Sequence, residues 1–151
     1  MNKEKLQRRL NRAHLMLGLV ENTVPEFIET EPPPIAFISF DMDLYSSTIQ
    51  AFKIFDADQK LLLPRIHCYF DDIMGFTCGD YSGERLAISD FNASHKMRKI
   101  SQIYGLKYFV SPKYSNRIWT EMFYIAHIFD HHLYGCNDGL SKHTTLEIPD
   151  E

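Results

Sequence analysis

"FISFDMDLYSST", residues 37–48, carries a run of strand-forming residues straight into Asp41 and Asp43. Further on, "IHCYFDDIMG", residues 66–75, ends a second apolar run on Asp71 and Asp72. Strand interiors are poor in aspartate, so both pairs belong just beyond strand ends. The stretch "IAFISF", residues 35–40, is a continuous apolar run of the kind found in strands covered on both faces. Ser46, Ser47 and Thr48 offer N-caps for a helix over 48–63, which Pro64 should stop before the strand 66–70. A strand, a helix and a second strand in that order predict a right-handed crossover and a parallel pair. The fold class is therefore α/β.

The rest of the chain is read around that unit. Residues 3–13, "KEKLQRRLNRA", look like the end of a helix with a solvated, mixed-sign face. "HLMLGLV", 14–20, has the length of a strand, and "TVPEFIET", 23–30, suits a short helix with Pro25 near its first turn. "EPPP" is a stiff connector. After the turn-rich "FTCGDYSG", a helix is expected over 84–104, with Ser82 as N-cap and Gly105 just past its end. "LKYFVS" and "EMFYIAHIF" supply the last two strands, and residues 136–151 form a loose tail.

Bulk properties exclude several classes. A chain of 151 residues supports one domain with a real core. Its net charge of −4 argues against a nucleic-acid partner, which would favour a basic face. Cys68, Cys78 and Cys136 are odd in number and never spaced as CxxC, so no disulfide framework or zinc ribbon is signalled. No run approaches the roughly 18 apolar residues of a membrane span, and no signal-peptide core is present at the start. The expectation is a soluble, cytoplasmic protein without membrane partners. "HIFDHHLYGC" lacks paired metal-ligand spacing, so His127, His131, His132 and Cys136 are not taken as a zinc site. Asp130 and His131 are instead expected on the acceptor side of the cleft, with Tyr45 and Trp119 as packing residues.

If the strands 35–40 and 66–70 are neighbours, they lie about 4.8 Å apart. Asp41, Asp71 and Asp72 then crowd the carboxyl end of the sheet, where open α/β sheets bind ligands. Clustered carboxylates repel one another and raise at least one pKa. A hard divalent cation such as Mg²⁺ relieves that repulsion.

These segments, with "GERLAISDF" at 83–91, resemble the macrocin O-methyltransferase group of class I S-adenosylmethionine-dependent methyltransferases. In that group a D-x-D-L-Y-x-S-T segment follows the fourth strand and a D-D follows the fifth. A G-x-R-x-A-x-x-x-F helix comes next, here matched by Gly83, Arg85, Ala87 and Phe91. "HLMLGLVENTVPEF" is similar to the third strand and its turn, and "YIAHIFDHHLY" to the seventh strand. The resemblance covers roughly residues 12–135 and makes 1–135 the C-terminal portion of such a domain.

It implies a partial Rossmann-like methyltransferase sheet, with strands equivalent to the third to seventh. They would be mostly parallel, with a final antiparallel strand, and flanked by helices. It further implies Mg²⁺ on Asp41, Asp71 and Asp72, and Asp43 as general base towards a sugar-like hydroxyl acceptor. Of the S-adenosylmethionine pocket, it implies only the adenine-side turn at Gly18 and Glu21.

No G-x-G occurs anywhere, so the Gly-rich turn and the first two strands are missing from these residues. The expectation is a fragment, inactive alone, whose bare edge at 35–40 is covered by a missing N-terminal half or by a second copy. Two rivals stand beside this reading. One is a non-catalytic remnant or interaction module. The other is a haloacid-dehalogenase-like phosphatase, whose D-x-D start is similar but which needs a Ser/Thr strand and a Lys between the two acidic motifs.

Overall fold

The computed structural model describes residues 3–10, 12–74 and 79–135. Cys78, Cys136 and the expected tail from 136 onward lie outside the described residues. In chain order the elements are α1 (Lys3–Gln7), α2 (Val20–Glu29), β1 (Ile35–Phe40), α3 (Tyr45–Ala51), β2 (Leu62–Phe70), α4 (Gly83–Ser94), β3 (Arg98–Gln102) and β4 (Phe123–Ile128). Short 3₁₀ turns fill much of the space between them. The strands form one sheet in the order β1-β2-β4-β3. This is an α/β fold with a four-stranded mixed sheet. Among the described residues no helix is long and apolar enough to cross a membrane.

The expected parallel pair is present. Phe37 to Phe40 run beside His67 to Phe70 in register, and the ladder continues past the strand ends where the Asp71 amide donates to the Phe40 carbonyl at 3.0 Å. The sheet as a whole is not mostly parallel, because β4 enters between β2 and β3 and is antiparallel to both. One reversed strand in the middle makes two of the three pairings antiparallel.

Several boundaries move. "HLMLGLV" forms no strand; residues 13–17 are irregular, and its last residue, Val20, opens α2. Pro25 accordingly lies inside α2 and not near its first turn. α3 starts at Tyr45 after an extended Leu44, so Ser46, Ser47 and Thr48 are interior positions. The Thr48 hydroxyl donates back to the Leu44 carbonyl at 2.9 Å, a helix-interior habit of threonine. The helix tightens into 3₁₀ turns at Phe52–Asp56 and Gln59–Leu61, and Pro64 does not end it. Pro64 sits inside β2, where the β1–β2 register slips between Ile35 and Phe37, a place that tolerates the missing donor.

The expected helix 84–104 stops at Ser94. The Ser94 hydroxyl donates to the Asp90 carbonyl at 2.8 Å, and the Asn92 amide exchanges two 2.7 Å bonds with the backbone of Ile100. Those bonds hold residues 98–102 as a strand against the end of α4. "LKYFVS" is 3₁₀ turn and loop; Gly105, at φ 78°, turns the chain into it.

Burial alternates along β2 and β4. Ile66, Cys68, Phe70, Ala126 and Ile128 lie in the core, whereas Arg65 and His67 stay exposed. One sheet face therefore carries the helical layer. On β1 only Phe40 is buried, and Phe37 is 54% exposed, so the expectation of a strand covered on both faces does not hold. The cause is position: β1 is an edge strand, with no further strand on its outer side among the described residues. Beside it lies an apolar cavity of about 640 Å³, lined among others by Val24, Phe27, Ile35, Phe37 and Met42.

The core centres on phenylalanines. Phe40 and Phe70 stack at 4.7 Å with their planes 10° apart, and Phe52 meets both edge-on at 5.3 and 6.0 Å. Phe55 and Phe91 complete the group. Replacing Phe40 or Phe70 by Ala should cost roughly 3–5 kcal/mol in urea unfolding, whereas exposed Phe37→Ala should stay within about 0.5 kcal/mol.

Candidate functional site

The Phe40–Phe70 stack is followed on each strand by an acid. Asp41 leaves β1 and Asp71 leaves β2 side by side, because the Asp71 amide still bonds the Phe40 carbonyl. Asp72 follows, with the Asp43 carboxylate close enough for its charge to act on it. Burial raises the Asp72 pKa above the ordinary carboxylate value, and the negative charges of Asp43, Asp41 and Asp71 push it further. The four expected aspartates are thus gathered at one end of the sheet.

A fifth acid joins them, which the sequence reading passed over. Glu84, in the first turn of α4, is 1% exposed. One of its oxygens accepts the Asp72 amide at 3.1 Å. The other, Oε1, is buried without a hydrogen-bond partner among the described residues, as is Asp72 Oδ2. Burial, and then the charges of Asp72, Asp71 and Asp41, push the Glu84 pKa up to about 8. None of the salt bridges among the described residues involves any of these five acids. The signal in the sequence was an acid directly inside the "GERLAISDF" helix, a position that ordinarily reads as favourable to the helix dipole.

Two neighbours shape the cluster. The Tyr69 hydroxyl lies 3.0 Å from Asp71 Oδ1 and 3.1 Å from the Met122 sulfur, and burial followed by the Asp71 charge raises its pKa. It therefore orients the Asp71 carboxylate. Arg85 donates to the Ile73 carbonyl at 3.1 Å and to Asp80 at 2.9 Å. It clamps the segment after Asp72 to the start of α4, and its charge is directed at Asp80.

Buried oxygens without partners suit a cation, a proton or water. Among the described residues no group of three His, Cys, Asp or Glu side chains is arranged to hold a metal ion. Mg²⁺ is compatible with that, since it keeps several waters and takes one or two carboxylates.

Gly18 and Glu21 lie around the start of α2. A Cβ at Gly18 would meet the Thr23 methyl at 3.0 Å, so this glycine serves close packing against α2. Glu21 lines a shallow cavity of about 240 Å³ with Ser46, Ser47 and Gln50. Asp130 does not reach the cluster. β4 runs against β2, so its end returns to the start of β2, and Asp130 there pairs with Arg98 at 3.0 Å. The expected Asp130–His131 lining is corrected on that ground. His131 is buried and accepts the Leu133 amide at 3.0 Å, and His127 lies between Ser101 and Tyr134. Tyr45 ties α3 to α4 through Asp90 at 2.9 Å, and Trp119 packs against Phe123 and Tyr114.

A carboxyl whose pKa rises from 4.5 to about 8 on folding stabilises the fold fully below pH 4.5, and the contribution is lost as pH climbs through 8. Asp72 acts in the same direction. In metal-free buffer the unfolding free energy should fall between those two pH values. Glu84→Gln should flatten the fall and exceed the parent protein by about 2 kcal/mol at pH 9 in urea titrations, given partial screening by water at the exposed aspartates.

The chain matches no protein-family model, no curated protein and no solved structure.

Proposed function

We propose that the acidic end of the sheet is the metal- and acceptor-binding part of an S-adenosylmethionine-dependent O-methyltransferase acting on a hydroxyl, sugar-like acceptor. The observation that carries the proposal is the gathering of Asp41, Asp43, Asp71 and Asp72 beyond two adjacent parallel strands, with buried carboxylate oxygens left unpartnered. The final strand, antiparallel as the resemblance implies, supports it further. Asp41, Asp71 and Asp72 would offer carboxylate oxygens to a divalent cation, one or two of them binding it directly with water completing its shell; when bound it would lower the pKa of a hydroxyl in contact with it. S-adenosylmethionine, when bound, would supply the methyl group from its sulfonium and leave as the neutral thioether S-adenosylhomocysteine. Asp43, exposed beside Asp72, receives the hydroxyl proton as the acceptor oxygen takes the methyl. Tyr69 keeps the Asp71 carboxylate oriented.

The 151 residues contain no Gly-rich turn to anchor the donor, and β1 presents an open edge with an apolar cavity beside it. A strand-bearing segment placed there would complete both sheet and cofactor site. The same two features favour the second reading, a non-catalytic module. The phosphatase reading is weakened, because residues 41–61 between β1 and β2 form a helix and 3₁₀ turns and no additional strand.

Calorimetry separates these readings. Mg²⁺ or Mn²⁺ should bind weakly, and Asp71→Asn should weaken binding at least about tenfold. S-adenosylmethionine should not bind these 151 residues alone, since donor positioning is a large part of the rate enhancement and its anchor is missing. Supplying a segment with a Gly-rich turn, fused or in trans, should restore binding and methyl transfer. Metal binding without any donor binding in either form would support the non-catalytic module.

A further inference from the structure

We infer that Glu84 is itself a ligand of the cation, sharing it with Asp72. The inference rests on the reading of this end of the sheet as a cation site, but it assigns the innermost position to a residue that reading did not include.

Glu84 is almost completely buried, and its carboxylate is fixed by the Asp72 amide at 3.1 Å. That bond uses one oxygen and leaves Oε1 enclosed, with no hydrogen-bond partner among the described residues. On the same neighbour, Asp72 Oδ2 is also enclosed and unpartnered. Both residues, joined by the bond from the Asp72 amide to Glu84, thus carry a buried carboxylate oxygen without a partner among the described residues, which is costly unless a proton, water or cation meets it. A basic side chain is the ordinary solution, yet Arg85, adjacent in sequence, is turned to Ile73 and Asp80.

A divalent cation meets the requirement from both sides. It takes hard anionic oxygens, and Mg²⁺ needs only one or two from the protein, with water completing its shell. Two protein oxygens suffice for such a site. Glu84 and Asp72 would form the buried inner grip. The more exposed Asp41 and Asp71 would lie on the open side, where an acceptor hydroxyl could reach the same ion.

The test is Mn²⁺ binding followed by electron paramagnetic resonance, on the parent chain, Glu84→Gln and a control, Glu31→Gln, whose carboxylate pairs with Lys60 away from the site. Glu84→Gln retains an oxygen for the Asp72 amide and loses the charge. The expected result is at least about a tenfold loss of Mn²⁺ affinity with an unchanged circular dichroism spectrum, and no change in the control. Equal affinity in Glu84→Gln and parent would overturn the inference and leave Glu84 a support for the Asp72 backbone. No Mn²⁺ binding by the parent would overturn the cation reading of the whole site, and this inference with it. If Glu84→Gln does not fold, carbon-13 carboxyl spectra of the parent chain decide the matter. A Mg²⁺-saturable shift at Glu84 supports ligation; a Glu84 signal that stays put while that of Asp71 moves overturns it.

Discussion

Everything at the acidic end of this protein depends on two phenylalanine rings. Phe40 and Phe70 close adjacent parallel strands and stack almost face to face at 4.7 Å, with Phe52 edge-on to both. The stack sets the register of the strand ends, and a slip of one residue would turn each side chain to the opposite face. Because the next residue on each strand is an aspartate, the same contact that builds the core forces Asp41 and Asp71 together. Hydrophobic burial thus drives the assembly of an electrostatically unfavourable site.

The unfavourable part is distributed unevenly. Asp41, Asp43 and Asp71 remain exposed, where water screens them. Asp72 and Glu84 carry the burden: burial raises both pKa values, the Asp43, Asp41 and Asp71 charges add to the rise at Asp72, and the Asp72 charge adds to the rise at Glu84. The Asp72 amide offsets some of this by donating to Glu84. Among the described residues two buried oxygens nevertheless have no hydrogen-bond partner, and no Lys or Arg forms a salt bridge with the cluster. A structural salt-bridge network would look different. An arrangement of this kind is suited to a proton, a cation or a substrate hydroxyl.

Local sequence carried the β1–helix–β2 unit and the placement of its acids, because the apolar runs and the aspartates that end them are contiguous. Elements shaped by distant partners were misread. Nothing at His95–Lys96–Met97 announces a break, yet Asn92 bonds both backbone groups of Ile100 and turns the expected end of a helix into β3. "HLMLGLV" has strand composition, but among the described residues no strand pairs with it, and it stays irregular up to Val20, which opens α2. Asp130 was expected in the cleft although an antiparallel β4 carries it to the opposite end of the sheet.

The sequence by itself determined that this is an α/β chain and that Asp41, Asp71 and Asp72 follow directly on the ends of two parallel strands. Those conclusions follow from period, run length and the position of charges along the chain, all of which are local. Only the tertiary structure decided that Glu84 belongs with them. Its role comes from burial to 1% exposure and from a bond to an amide twelve positions earlier in the chain. Only the tertiary structure, likewise, placed β4 between β2 and β3 and left β1 at the edge. Strand order is chosen by the packing of whole layers, and no short stretch of residues encodes it.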